Sequence, residues 1–166
     1  MWRASMSNFI RGQGFLDIEK ASTAGCYKAL MFQPRLIGLL AAAGILLQSA
    51  SLFLLLGTIL WWNALLPGLN LFDALYNALF AAPPGLPRLG PAPAPRRFAQ
   101  ALASTFMLLT GIALLQGWSM IAWMTEALIA VVLLDLLFRR SCLGSALFNL
   151  LRRRNTPAAA GETRAR

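Results

Sequence analysis

The chain contains no histidine, which removes the commonest metal ligand and the usual general base. It also excludes histidine ligation of haem by this chain. Cysteine is nearly as scarce. Cys26 and Cys142 are too few for a four-thiolate zinc or iron–sulfur site. Acidic residues number six against fifteen Lys and Arg, so a paired-carboxylate site has little to draw on. The most telling absence is local. Residues 36–72 and 98–125 contain no Asp, Glu, Lys or Arg. Runs longer than about 18 residues with few charges read as membrane spans. A secretory leader is not expected at the N-terminus. Residues 1–33 carry Arg3, Arg11, Asp17, Glu19, Lys20 and Lys28, with no continuous apolar stretch.

What is present fits an integral membrane protein. Of 166 residues 58% are hydrophobic, and the mean hydropathy is +0.61. The net charge of +9 is set beside the apolar runs, in clusters at Arg3–Arg35, at Arg88, Arg96 and Arg97, and from Arg139 and Arg140 to Arg166. That placement suits anionic lipid at the cytoplasmic face rather than nucleic acid. If all the clusters are cytoplasmic, an even number of crossings separates neighbours. The expected fold is all-α: two transmembrane helical hairpins, about four spans, a short interfacial helix and a proline-rich cytoplasmic connector. Both termini are expected inside.

The segments follow. Residues 1–33 are an N-terminal cytoplasmic or interfacial piece. Residues 34–66 form the first hairpin. As one helix, Leu36 to Leu66 would be about 46 Å long, against a bilayer core of about 30 Å. The polar Gln48-Ser49-Ala50-Ser51 therefore predicts a break, with helices near 34–48 and 50–66 and Pro34 in the first turn. The alternative is one tilted helix and three spans, which sets Arg88, Arg96 and Arg97 outside. Residues 69–97 hold an interfacial helix, opened by the cap spacing of Asn70 and Asp73, and a connector with six prolines from Pro83 to Pro95. Asp73 and Asn77 fall off the apolar face of that helix. Residues 98–138 form the second hairpin, turning at Gln116-Gly117, with Trp118 and Trp123 near the interface. Residues 139–166 are a basic cytoplasmic tail, and the part after Asn155 has a disordered composition.

Glu126 is the first candidate functional residue. It lies about seven residues into its helix, roughly 10 Å from the outer end, where ionisable groups are costly. It lines an ion or proton path, or it is a carboxyl satisfied by Thr105 or Thr110. Asp135 and Arg139, four residues apart, are expected to form a structural ion pair. Cys142 follows two arginines, which favour its thiolate, and with Ser145 makes a Cys-x-x-Ser pattern. A thiol packed near the membrane is the plainer reading of Cys142 and of Cys26. Arg96, Arg97, Arg152, Arg153 and Arg154 are expected to face lipid headgroups.

Four stretches carry a family resemblance: Phe32-Gln-Pro-Arg-Leu-Ile37, Trp61-Trp62-Asn63-Ala-Leu-Leu-Pro67, Pro91-Ala-Pro-Ala-Pro-Arg-Arg-Phe-Ala-Gln100 and Cys142-Leu-Gly-Ser145. Over residues 27–152 the chain resembles a bacterial family of small inner-membrane proteins catalogued only as a domain of unknown function. The resemblance implies four membrane helices in a bacterial cytoplasmic membrane and no activity. Many members carry a second cysteine where this chain has Ser145, which weakens a dithiol role. The expected function is a non-enzymatic accessory or structural subunit without cofactors, packed against another membrane protein or its own copies. A small transporter using Glu126 and a thiol-redox partner using Cys142 are the alternatives.

Overall fold

A computed structural model describes residues 7, 9–10, 13–14, 23–80, 88–139 and 143–154, with the side chains of residues 23, 24, 26, 137–139, 143 and 152–154 outside that description. Among the described residues all regular structure is helical. The helices are α1 (Thr23–Leu47), α2 (Ala50–Leu65), α3 (Leu71–Leu79), α4 (Ala94–Leu115), α5 (Ser119–Arg139) and α6 (Leu143–Arg154), with a 3-10 turn at Pro67–Leu69. Among the described residues three segments are long and apolar enough to cross a membrane: Tyr27–Leu47, Ala94–Leu115 and Ser119–Leu136. The fourth apolar helix, Ala50–Leu65, has 16 residues and is about 24 Å long. Large apolar side chains face outward along these helices, including Leu46, Leu55, Met120, Met124, Val131 and Leu134. A water-soluble monomer rarely exposes so continuous an apolar surface. Such a surface belongs to a membrane protein.

The expected break at Gln48 is present, and its chemistry is a helix C-cap. Gln48 has φ +47°, Ser49 N–H donates to Gly44 O at 3.0 Å, and Gln48 N–H donates to Ile45 O at 3.3 Å. These two bonds make the Schellman pattern, which satisfies the last carbonyls of α1. Ser49 then opens α2 by accepting from Leu52 N–H. The turn between α4 and α5 uses the same pattern. Gly117 has φ +70°, Trp118 N–H donates to Ala113 O at 2.8 Å, and Gly117 N–H donates to Leu114 O at 3.3 Å. Glycine takes the left-handed position there at no steric cost. Gln48 does so against a penalty of about 1–2 kcal/mol.

Helix boundaries depart from the sequence reading in three places, each through tertiary burial. α1 begins at Thr23, so Pro34 lies inside the helix rather than in its first turn. Its added N-terminal turns bury Tyr27, Leu30 and Met31 against Phe9 and Ile10. α4 begins at Ala94, four residues before Phe98, with Pro95 in the first turn where its missing N–H costs nothing. The basic tail contains α6, whose Ser145 hydroxyl donates to Pro95 O and whose Phe148 ring meets that of Phe98. The connector at 81–87 and the tail after Arg154 lie outside the described residues.

The tightest helix contact joins α2 to α4, which run antiparallel. Cβ atoms built at Gly57 and Gly111 would come within 2.7 Å of Leu108 Cγ and Leu54 Cγ respectively. Ser104 Oγ donates to Gly57 O at 2.6 Å across the same seam. Small residues allow this approach, as they do in membrane helix pairs. Phe53, Leu56, Leu60 and Met107 fill the core around it.

Candidate functional site

Two polar clusters lie at opposite ends of the helix bundle. The first surrounds Glu126. Its side chain is 2% exposed, and Gln48 Nε2 donates to Oε1 and Oε2, each at 3.1 Å. The same Nε2 also reaches Ile45 O at 2.8 Å. The left-handed backbone at Gln48 aims this amide at the carboxyl, which gives the strained residue a reason. Thr110 and Thr125, expected in part as Glu126 partners, instead bond each other across α4 and α5 at 2.8 Å. Thr105 is exposed and donates back to Ala101 O. Gln48 therefore takes the place of the expected threonine partners.

The second cluster is the larger, and it reverses the expectation for Arg96. Asp73 and Arg96 are each 4% exposed. Arg96 Nη2 donates to Asp73 Oδ1 at 2.6 Å and Nη1 to Oδ2 at 3.0 Å, a two-pronged ion pair. Arg96 Nη2 also donates to Gln33 Oε1 at 2.6 Å, and Gln100 Nε2 donates to the same oxygen at 3.1 Å. The cluster thus joins α1, α3 and α4. Arg96 does not face lipid headgroups, because Asp73 takes both arms of its guanidinium inside the fold. Burial pushes the Asp73 carboxyl up from its ordinary range, against the opposing pull of Arg96.

The local sequence explains how Asp73 arrives there. Asn70 caps α3, its Oδ1 accepting from Phe72 and Asp73 N–H at 3.1 and 3.3 Å. Asn63 Oδ1 accepts from Leu71 N–H, tying the end of α2 to the start of α3. The buried face of α3 is Phe72, Asp73 and Tyr76, while Leu71, Leu75, Leu79 and Phe80 are exposed. The expected apolar face is therefore divided. Leu71, Leu75, Leu79 and Phe80 face outward, while Phe72 and Tyr76 turn inward beside the Asp73 carboxylate. Asn77 holds the returning chain through two hydrogen bonds: its Nδ2 donates to Leu89 O at 3.0 Å, and its Oδ1 accepts from Leu89 N–H at 2.9 Å.

Arg97 is half-buried, and its Nε donates to Ala64 O at 2.8 Å, closing an end carbonyl of α2. Asp135 is half-buried on α5. Cys142 and the side chains of Cys26, Arg139, Arg152, Arg153 and Arg154 lie outside the described residues. Among the described residues no group of His, Cys, Asp and Glu is gathered as a metal site would be. Exposed tryptophans stand at both ends, Trp61 and Trp62 near Arg97 and Trp118 and Trp123 near the other turn.

The sequence reading gave Gln33 and Gln100 no role and Gln48 only that of a helix break. The available signal was their position. Each is an uncharged polar residue at the edge of, or inside, an apolar helix, where an amide needs partners. Compared with known families, residues 28–153 match the model of DUF4395, a domain of unknown function. No curated protein and no solved structure matches the chain.

Proposed function

The chain belongs to this DUF4395 family, and we propose that it is a multi-pass protein of a bacterial cytoplasmic membrane serving as a non-enzymatic accessory subunit. In this reading α1, α2, α4 and α5 make four crossings as two hairpins. The turns at Gln48 and Gly117 face the periplasm. The Arg88–Arg97 connector, α6 and both termini stay with the cytosol. The partner is another membrane protein or a second copy, and anionic lipid borders the basic face.

One observation carries this: the charges in the helical core are taken up within the chain. Glu126 is closed by Gln48, and Arg96 by Asp73 and Gln33. Their geometry supports a scaffold whose polar groups hold helices together, and it disfavours Glu126 as an open ion path. The outward surface is apolar and available to lipid or to partner helices.

The test begins from a chain with Cys26 and Cys142 changed to Ser. A membrane-impermeant thiol reagent should label Gln116→Cys in intact cells. Gly90→Cys should label only after the membrane is opened. Labelling of Gly90→Cys from outside overturns the orientation. Extraction in a mild detergent followed by native mass analysis should then return an oligomer or a copurifying membrane protein. A lone monomer overturns the subunit reading.

A further inference from the structure

Gln33, Arg96 and Gln100 also form the polar end of a cavity of about 400 Å³, which Gln13 lines as well. The remaining wall is almost wholly apolar, built from Leu30 and Ile37 of α1, Ala103 and Met107 of α4, and Ile129 and Leu133 of α5. The volume falls in the range of small-molecule sites, about 300–1,000 Å³. Gln100 to Met107 spans seven residues of α4, so the cavity runs roughly 10 Å along the helix.

The polar end specifies the kind of head group. Gln33 Oε1 accepts from both Arg96 and Gln100. That fixes the Gln100 amide, because the flipped form would set oxygen against oxygen. Gln100 Oε1 therefore points away from Gln33. It has no hydrogen-bond partner among the described residues, although Gln100 is only 6% exposed. A buried acceptor in that state calls for a donor. The charge is already balanced, since both arms of Arg96 reach the Asp73 carboxylate. An anionic head group would bring an unmatched charge into this pocket.

The geometry points to a binding site for an uncharged, single-chain amphiphile whose head donates one hydrogen bond to Gln100 Oε1, such as a hydroxyl-headed lipid. The chain fills the apolar wall between α1, α4 and α5, and the hydroxyl satisfies the orphaned carbonyl. Gln100 is the residue that selects for a donor, and Ala103 is the residue that leaves room for the chain. This goes beyond the subunit reading and does not depend on which partner the protein has.

The experiment uses the full chain in lipid nanodiscs and three probes of equal chain length: decanol, decyl methyl ether and decanoate. Native mass spectrometry reads the bound fraction of each, at a pH where decanoate is ionised. Decanol should bind about tenfold more tightly than the ether, which cannot donate. Decanoate should bind more weakly than decanol. Gln100→Leu should remove the difference between decanol and ether. Ala103→Phe should abolish binding of both by filling the wall. The comparison of probes on the unaltered chain needs no substitution and stands if a variant fails to fold. Equal binding of decanol and ether overturns the proposal. So does preference for decanoate, absence of decanol binding, or binding undiminished by Ala103→Phe.

Discussion

Single side chains decide how this fold carries polar groups through an apolar interior. The Arg96–Asp73 pair illustrates the asymmetry of buried charge. Removing one member leaves the other uncompensated, so Arg96→Leu should destabilise by about 3–5 kcal/mol. Replacing both, with Arg96→Met and Asp73→Leu, should recover most of that loss. Denaturant unfolding in micelles measures both, and a double variant no better than the single one refutes the account. Glu126 separates a structural role from a transport role. Glu126→Gln keeps a polar group opposite Gln48 and should stay within about 0.5 kcal/mol of the parent. Glu126→Leu removes the acceptors of Gln48 and should cost about 1–3 kcal/mol. A Glu126→Gln variant as unstable as Glu126→Leu would show that the carboxylate itself is required. Gln48 pays a backbone penalty for its position, which makes its amide the less replaceable half of that contact.

Among the elements, α2 and α4 depend on two glycines for their distance of approach. Gly57→Val should drive its side chain into Leu108 and against Ser104, at a cost of about 1–3 kcal/mol. Gly68→Ala and Gly90→Ala place a methyl in open space and should be silent in the same thermal-unfolding measurement. Much of this level was legible in the sequence. The break at Gln48, the cap at Asn70 and the turn at Gln116-Gly117 all rest on local backbone chemistry, which residue type reports directly. The inward turn of Asp73 was not legible. Periodicity puts Phe72 and Tyr76 on one face with Leu71, Leu75 and Leu79, and the fold divides that face, burying Phe72 and Tyr76 beside Asp73. Asp73 is drawn in by Arg96, a partner 23 residues away.

At the scale of the whole molecule, the same limit explains the Glu126 misassignment. The sequence gives helix lengths but not their relative heights. Thr110, on the other helix of the same hairpin, was the natural partner, and Gln48, 78 residues away in the other half of the chain, reaches the carboxylate instead. The seam between α2 and α4 has one more consequence. It joins the earlier half of the polypeptide to the later half, across the connector. A ribosome therefore delivers α1 and α2 before their principal neighbour has been made. The front half of the chain therefore keeps its side of the glycine seam uncovered until α4 has been made.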